Sequence, residues 1–227
     1  MGQLQGEKLT GTSIDQSITK LREYLDSVDW SGLTPSRERI AEDFLRLAVE
    51  NGLQSVSMRM LGKTAGIKAS SVYSHFPGGR DEIVATTLRL CFHRFGRALL
   101  QEVGDITDPE EFWKKLIRVH LSRQIQLPES NLWDIIIASD RMTKFLPADL
   151  REEIDQALEL HEDLYHAAAG ALGNENSETV RMIITLLEGA SRWYDGDTDG
   201  EGIETTIDRT ISLTFNLLKV TTTTSVQ

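Results

Sequence analysis

The sequence predicts an all-α protein, and three observations support this prediction. Long stretches of the 227 residues carry apolar side chains at a period of 3.6 residues. No stretch shows a convincing alternation of apolar and polar residues, which is the pattern of strands. Only five prolines occur, so few positions force a helix to end. We therefore expect helices from the N-terminal region to the end of the chain.

The first two helices are predicted from an apolar stripe and from capping residues. Residues 15–28 form an amphipathic helix within an N-terminal extension, residues 1–33. Thr34 is a good N-cap and Pro35 favours the first helical position, so a second helix begins there. Gly52 ends it, because glycine adopts the left-handed conformation of a C-cap.

Two short helices are predicted next, over residues 57–65 and 69–75. Ser57 can cap the first of them. Gly66 supplies the positive φ that a tight turn between them requires. The spacing of Val72 and Phe76 places both on the inward face of the second short helix. Residues 34–80 are thus a three-helix domain containing a helix-turn-helix.

Residues 81–227 are predicted to form a larger helical domain. Its helices are expected to start at Asp81, at Pro109 after Asp108, at the N-cap Ser130, at Pro147 (the longest), at Ser177 and at Gly202. Residues 195–201 are an acidic, glycine-rich linker that we expect to be mobile. Residues 221–227 are expected to be a frayed tail.

Charge is distributed unevenly along the chain. The net charge is −11, yet residues 34–80 hold seven Lys and Arg and only four Asp and Glu. Residues 51–80 contain no Asp or Glu. Such a basic module attracts the phosphates of nucleic acid, while the acidic remainder repels them and orients the docking. This distribution predicts that residues 51–80 meet DNA.

The second short helix has a surface suited to a DNA groove. Small and hydroxylated side chains let a helix enter the major groove, where serine can donate to or accept from base edges. Lys68 and Tyr73 are placed to contact phosphates, and Arg80 lies at the start of the next helix. The residues left facing outward are Ala69, Ser70, Ser71, Tyr73, Ser74 and His75. The alternative is a generic helical hairpin, which is common.

Residues 35–100 resemble the N-terminal region of the tetracycline-repressor (TetR) family of bacterial transcription regulators. The resemblance is carried by SMR at 57–59, by AGI at 65–67 and above all by VYSHFPGGRDEI at 72–83. Beyond this region the chain is similar to the family only in layout. There are departures: Gly62 stands where alanine is usual, Ser70 where glycine is frequent, and Lys68 and Ala69 differ from the commoner Ser-Lys.

The resemblance implies which residues contact DNA. It assigns base or backbone contacts to Ser57 and Arg59 in the first short helix and to Ala69, Ser71, Tyr73 and His75 in the second, with Arg80 on a phosphate. With Lys68 and Ser70 from the exposed face, these residues are the predicted DNA site. Repression is the commoner activity of the family, so a repressor of a (pseudo)palindromic operator is expected.

A homodimer is expected because one helix-turn-helix makes too few contacts for tight specific binding. The resemblance implies that the last two long helices form the interface. The predicted interface residues are Val180, Ile183, Ile184, Leu187 and Ala190 on one helix and Ile203, Ile207, Ile211, Phe215 and Leu218 on the other. The alternative is that both stripes belong to the core of a single chain.

The resemblance further implies a pocket for an unknown small-molecule effector in the larger domain. Candidate lining residues are polar or aromatic groups on apolar helix faces: Trp113, His120, Trp133, Ile136, His161 and Tyr165. Each of them singly is also compatible with ordinary core packing. His161 and His166, five apart, face different sides of a helix, so no metal site is expected, and no cofactor is implied.

Other classes of protein are weaker hypotheses. Cys91 and His93 are the only nucleophile and base that lie close together in the sequence. Two residues apart on a helix, they face different sides, so catalysis is not expected. The thiol of Cys91 is expected to be buried and inert. A helical binding protein or a structural protein without DNA binding stays the alternative. One cysteine, no signal peptide and no apolar run of membrane-spanning length predict a cytoplasmic protein.

Overall fold

The computed structural model describes residues 13–196 and 201–222 of the chain. In this part the secondary structure is helical, without strands. The helices are α1 (Ile14–Ser27), α2 (Pro35–Asn51), α3 (Met58–Thr64), α4 (Ala69–His75), α5 (Gly79–Val103), α6 (Pro109–Gln126), α7 (Pro128–Thr143), α8 (Ala148–Ala171), α9 (Ser177–Glu188), α10 (Ala190–Trp193) and α11 (Glu201–Thr222). A turn of 3-10 helix, Leu53–Ser55, joins α2 to α3. The all-α prediction is confirmed.

Several helix ends follow directly from the capping residues in the sequence. The hydroxyl oxygens of Thr34 and Ser57 accept hydrogen bonds from the third helical residue of α2 and α3, at 3.3 and 3.2 Å. The Asp108 carboxylate does the same for α6, at 2.8 Å. Gly52 ends α2 with a φ of 82° and a ψ of 141°, so its φ is positive as predicted although its ψ is extended. Each cap satisfies an amide that the helix leaves unpaired.

Other predicted boundaries are wrong. Ser130 is not an N-cap: α7 begins at Pro128, and the Ser130 hydroxyl donates to the Arg123 carbonyl at 3.3 Å. Proline is favoured in the first turn because it has no amide to leave unpaired. The helix predicted to start at Ser177 was expected to run to about Tyr194, but it is divided at Gly189 into α9 and α10.

Two further differences concern the long helices. α5 begins at Gly79, two residues before the predicted Asp81, and its 25 residues exceed the 24 of α8, which starts one residue after Pro147. The predicted mobile linker at 195–201 and the tail at 221–227 fall mostly outside the described residues, as do residues 1–12.

The apolar side chains form two clusters. One cluster joins α2, α3, α4 and the start of α5, and it also includes Ile136 from α7 and Leu150 and Ile154 from α8. The other cluster fills the space between α1, α6, α8, α9, α11 and the second half of α5. The helix-turn-helix therefore shares one apolar cluster with the N-terminal half of α5 and with residues of α7 and α8, so the core does not divide at residue 80.

The N-terminal extension contributes to the larger domain. Ile18, Leu21 and Leu25 of α1 are buried in its core, and the Ser17 hydroxyl donates to the Asp163 carbonyl of α8. α1 therefore extends the wall of the larger domain.

The stripes predicted to form the dimer interface are buried inside the single chain. Nine of the ten side chains are in the core: Val180, Ile183, Ile184, Leu187, Ala190, Ile203, Ile207, Ile211 and Leu218. Phe215 is half-buried against the same core. Both stripes therefore belong to the core of a single chain, which was the alternative to a dimer interface. The most apolar face of each helix packs on its own chain. Exposed apolar residues of these helices are Met182 on α9 and Leu213 and Val220 on α11.

No helix in the described residues has an apolar stretch long enough to cross a bilayer.

Candidate DNA interface and effector cavity

The turn between α3 and α4 holds two short helices close together. Gly66 has a φ of 70°, which glycine adopts freely, and this confirms its predicted role. The Ile67 amide donates to the Gly62 carbonyl at 2.8 Å. A Cβ at Gly62 would lie 3.0 Å from the Ala69 nitrogen and from the Ile67 oxygen. Gly62 therefore permits a close approach of α3 to the start of α4.

Helix α4 is fixed by its inward face and leaves its polar face outside. Val72 and Phe76 are fully buried, as predicted. Tyr73 is 50% exposed, and Ser70 is exposed beside it. The other predicted contacts of this helix, Ala69, Ser71 and His75, are half-buried at its margins.

The basic side chains around α4 are available for an anion. Arg59 and Lys63 of α3 and Lys68 at the N-cap of α4 are all exposed. None of the three forms an ion pair with a described residue. Ser57 is exposed at the start of α3, next to Arg59. The surface is therefore positive and has uncompensated charge, which is what phosphate binding needs.

Arg37 of α2 anchors the end of α4, a role that was not predicted from the sequence. Its guanidinium donates to the His75 carbonyl and, at 2.7 Å, to the Glu82 carboxylate. It also lies 4.2 Å from the centre of the Phe76 ring. The second oxygen of Glu82 accepts from the Gly78 amide at 2.8 Å. The Arg37–Glu82 pair thus joins α2 and α5 to the last residues of α4.

Arg80 is placed differently from the expectation. Its guanidinium donates to the Leu53 carbonyl in the 3-10 turn and lies 5.8 Å from the centre of the Phe44 ring. It therefore supports the connection from α2 to α3. Its contact with a phosphate stays a prediction.

A cavity of about 90 Å³ lies between α5, α6, α7 and α8, with contributions from α2 and α9. Of the six residues predicted to line an effector pocket, His120, Trp133 and His161 do so. Trp113 and Tyr165 are fully buried core residues, and the Trp113 indole donates to the Thr214 hydroxyl at 3.0 Å. Ile136 belongs to the core around the helix-turn-helix.

Most of the polar lining of this cavity was not predicted from the sequence. Arg94, Arg123, Gln124 and Glu188 line it, together with the aromatic rings of Phe92 and Phe95. Arg123 and Gln124 lie three and four residues after His120, so they share its helix face. That spacing is a signal that could have identified them. Cys91 is half-buried in the cavity wall, so the expectation of a fully buried thiol is wrong.

An aromatic cluster forms one wall of the cavity. The ring centres of His120 and His161 are 5.3 Å apart, and Phe95 lies edge-on to both, at 5.4 and 5.2 Å. The His120 Nδ1 and the Tyr165 hydroxyl are 2.7 Å apart. The Nε2 atom of His161 is buried and has no hydrogen-bond partner in the described residues.

Burial keeps this cluster uncharged. Desolvation lowers the pKa of His161 to about 4. Desolvation, and then the charge of His161, hold the pKa of His120 well below its usual value. Desolvation, and then the charge of Glu188, raise the pKa of Tyr165 well above its usual value. At neutral pH the wall therefore offers neutral hydrogen-bonding groups among apolar rings.

Comparisons with known proteins agree with this geometry. The family model described as "Bacterial regulatory proteins, tetR family" matches residues 45–86, which span α3, α4 and the start of α5. No curated protein matches the chain.

Several solved structures have a similar fold. A bacterial regulatory protein in the tetR family from Rhodococcus RHA1 has a TM-score of 0.69 at 12% identity, covering 82% of this chain and 97% of that one. AibR in complex with isovaleryl coenzyme A and operator DNA has a TM-score of 0.67 at 17% identity, with 78% and 97% covered. The ketosteroid transcriptional regulator KstR2 of Mycobacterium tuberculosis has a TM-score of 0.65 at 16% identity, with 79% and 93% covered.

Proposed function

We propose that this chain, whose residues 45–86 match the family model of the bacterial tetR regulatory proteins and whose fold is similar to that of a tetR-family regulator, is a repressor. It binds a (pseudo)palindromic operator as a homodimer and is released by a small-molecule effector. AibR, whose fold is similar, is described as binding both operator DNA and an acyl-coenzyme A. That precedent supports assigning the same two kinds of partner to this chain.

The observation that carries the proposal is the surface of α3 and α4. Arg59, Lys63 and Lys68 are exposed without ion pairs among the described residues, and no acid lies between residues 51 and 80. Tyr73 is half exposed on α4. A helix with small neighbours and flanking cations fits the major groove with its phosphates on either side. The DNA contacts are thus Ser57, Arg59, Lys68, Ala69, Ser70, Ser71, Tyr73 and His75, with Arg80 on a phosphate.

A gel-shift titration with DNA flanking the coding region tests this proposal. Tyr73→Ala is expected to weaken binding to all sequences, because it removes a backbone contact. Ser71→Ala is expected to change which sequence is preferred, because it removes a base contact. Glu102→Ala on α5, remote from the interface, is the control and should bind as the wild type does. If both α4 variants also bound unchanged, α4 would not be the recognition helix.

The homodimer is proposed to use the outer faces of α9 and α11. Met182 is 58% exposed on α9, and Leu213 is exposed on α11. A shallow groove along α11 is lined by Thr205, Asp208, Arg209, Ser212, Leu213 and Asn216. Burial of apolar side chains in a four-helix contact with a second copy would remove them from water.

Two methionines give a matched test of this interface. Met182→Arg introduces a charge on α9 and is expected to give monomers in sedimentation at micromolar concentration. Met142→Arg introduces the same charge at a residue that is 81% exposed on α7 and should leave the dimer intact. A dimer in both variants would exclude this face.

Effector release is proposed to act through α5 and Arg94. α5 begins next to α4 and lines the cavity further along with Cys91, Phe92 and Phe95. Arg94 lines the cavity and binds Glu38 and Glu42 of α2 at 3.0 and 2.5 Å. A ligand that moves this part of α5 therefore also changes the position of the helix-turn-helix. Glu38→Gln with Glu42→Gln should reduce the effector's effect on operator affinity while leaving effector binding intact, and an unchanged effect would exclude this route.

A further inference from the structure

The N-terminal helix α1 forms one side of a second cavity. This cavity has a volume of about 320 Å³ and lies between α1, α5, α7 and α8. Tyr24, Leu25 and Val28 of α1 and Asp29 just after it contribute to the wall. The N-terminal extension therefore helps to enclose a space that is in the size range of ordinary ligand pockets.

Helix α1 is held closely on α5 and α8. A Cβ at Gly96 of α5 would lie 2.9 Å from the Cδ1 atom of Leu25, so this glycine permits close packing of the two helices. The Lys20 ammonium lies 3.4 Å from the Asp163 carboxylate of α8. These contacts keep α1 in place beside the cavity.

Aromatic rings from three helices meet in the wall of this cavity. The rings of Tyr24 and Phe92 are edge-on, with centres 5.9 Å apart, and the ring centres of Phe92 and Trp133 are 6.2 Å apart. Phe92 and Trp133 also line the smaller effector cavity, whereas Tyr24 does not. Aliphatic side chains form much of the remaining wall: Leu25, Val28, Leu88, Leu150, Ile154 and Ala157.

The charged side chains of the wall already have partners. The Arg89 guanidinium donates to both oxygens of the Glu153 carboxylate, at 2.6 and 2.7 Å. The Asp29 carboxylate is exposed at the margin and accepts from the Ser31 amide at 2.8 Å. Burial is the main cause that lowers the pKa of His93, so this imidazole is neutral at neutral pH. Among the described residues, a charged ligand would therefore find no free counter-ion inside the cavity.

The Tyr24 hydroxyl is a polar group of the wall that is still available. It forms no hydrogen bond with a described residue. Burial, and then the charge of Glu153, raise the pKa of Tyr24, so the hydroxyl keeps its proton at neutral pH. A phenolic hydroxyl can donate one hydrogen bond and accept others. Tyr24 can therefore bind a neutral oxygen atom of a molecule in the cavity.

We propose that the cavity beneath α1 is a binding site for an uncharged, largely apolar molecule that carries one hydroxyl or carbonyl oxygen. The Tyr24 hydroxyl donates to this oxygen, and the apolar part of the molecule packs against Phe92, Trp133 and the aliphatic side chains. The site goes beyond the proposed function, since it is separate from the effector cavity and gives the N-terminal extension a role in binding.

The size of the cavity indicates how large this molecule is. A cavity of roughly 150 Å³ holds benzene, so about 320 Å³ accommodates two fused rings. 2-Naphthol has two fused rings, one hydroxyl group and no charge at neutral pH. It is therefore a suitable probe of the site.

Calorimetric titration of the full-length protein at pH 7, without DNA, tests the class of ligand. 2-Naphthol should bind with one molecule per chain. Naphthalene should bind about fivefold more weakly, because it lacks the hydrogen bond to Tyr24. 2-Naphthoate and 2-naphthylmethylammonium should bind at least about tenfold more weakly than 2-naphthol, because each brings a charge into a wall whose charges are already paired. Absence of 2-naphthol binding up to its solubility limit would overturn the site, and equal affinity for either charged probe would overturn the assignment of an uncharged ligand.

Tyr24→Phe tests the hydrogen bond while keeping the ring. This variant should weaken 2-naphthol binding about fivefold and leave naphthalene binding unchanged, so that the two probes bind alike. Tyr194→Phe makes the same chemical change at a tyrosine that does not line the cavity and should bind both probes as the wild type does. An unchanged preference for 2-naphthol in Tyr24→Phe would contradict the role of this hydroxyl.

Val28→Phe tests the location of the ligand. Val28 is half-buried at the end of α1 and lines this cavity but not the effector cavity. The larger ring should fill part of the space and weaken 2-naphthol binding at least about tenfold, with the fold checked by circular dichroism. Val49→Phe adds the same ring at an exposed residue of α2 and should leave binding unchanged. Wild-type affinity of Val28→Phe would show that 2-naphthol binds elsewhere and would overturn the proposal.

Discussion

The helix pair α3–α4, which we propose to face DNA, and the cavity that we propose for an effector differ in how their polar groups are arranged. Around α4 the cations Arg59, Lys63 and Lys68 are exposed and unpaired within the described residues. In the cavity wall His120 and His161 are buried and uncharged at neutral pH. A surface for a polyanion keeps its charge in water, whereas the aromatic wall of the cavity holds neutral polar groups that are shielded from water. The following predictions, from the largest effect to the smallest, test this difference.

Core substitutions in the two regions should lower the free energy of unfolding by similar, large amounts. Phe76 under α4 and Phe112 in α6 are both fully buried. Replacing either with alanine should lower the free energy of unfolding by about 3–5 kcal/mol, measured by urea titration, whereas Val49→Ala at an exposed residue of α2 should change little. Because the core around α4 includes residues of α7 and α8, we expect one unfolding transition. A separate early transition in Phe76→Ala would show that the regions unfold independently.

Acidification should destabilise the larger domain because of the buried His161. Its pKa is about 4 in the folded chain and about 6.5 when unfolded, so only the unfolded chain takes up the proton between these values. The free energy of unfolding therefore keeps the full contribution of the neutral imidazole above pH 6.5. This contribution, about 3 kcal/mol, is lost as the pH falls to 4. His161→Leu should remove this part of the acid sensitivity, as measured by urea unfolding at pH 7 and 4.5. The half-buried His166 is the control, since His166→Leu should change the acid sensitivity of unfolding less. Equal acid sensitivity of wild type and His161→Leu would contradict the burial of a neutral imidazole.

Loss of the Arg37–Glu82 pair should disturb the position of α4 more than that of the other helices. Arg37→Met removes two charge-assisted hydrogen bonds and should lower the free energy of unfolding by about 2 kcal/mol. Operator affinity should fall as well, although Arg37 does not face the groove, because the end of α4 loses its anchor on α2. Arg97→Met breaks an exposed ion pair with Asp26 on the body and is the matched control. Identical operator affinity of wild type and Arg37→Met would show that the pair does not position α4.

Removal of a single phosphate contact should have the smallest effect, a modest loss of operator affinity. Arg59→Gln should reduce the salt slope of operator binding by about two, one for each chain of the dimer, and weaken binding to all sequences alike. Arg97→Gln should leave the slope unchanged. If Arg59→Gln changed sequence preference while the slope stayed constant, Arg59 would contact a base.

Local chemistry explains why much of the helix-turn-helix could be predicted. Ser57 caps its own helix, Gly66 makes its own turn, and Val72 and Phe76 face inward by their spacing alone. None of these features needs information from distant residues. Arg37 was missed because its partners at His75 and Glu82 lie 38 and 45 residues away.

The larger domain was harder to predict because several faces of each helix are apolar. The stripe with Ile183 and Leu187 packs on its own chain, and only the fold shows that Met182 is left outside. Similarly, Trp113 and Tyr165 were plausible ligand contacts by residue type, yet the packing of α6 on α8 and α11 places them in the core. His161 does line the cavity, and the sequence pointed to it because its polar ring interrupts an apolar stripe; its contact with an effector stays a prediction.

The salt dependence of operator binding, measured with the stoichiometry of the complex, tests the central claim most directly. With Arg59, Lys68 and Arg80 from each of two chains on phosphates, the logarithm of the association constant should fall with the logarithm of salt concentration at a slope of about −5. Two chains should bind each operator. A slope near zero, or one chain per duplex, would contradict the account.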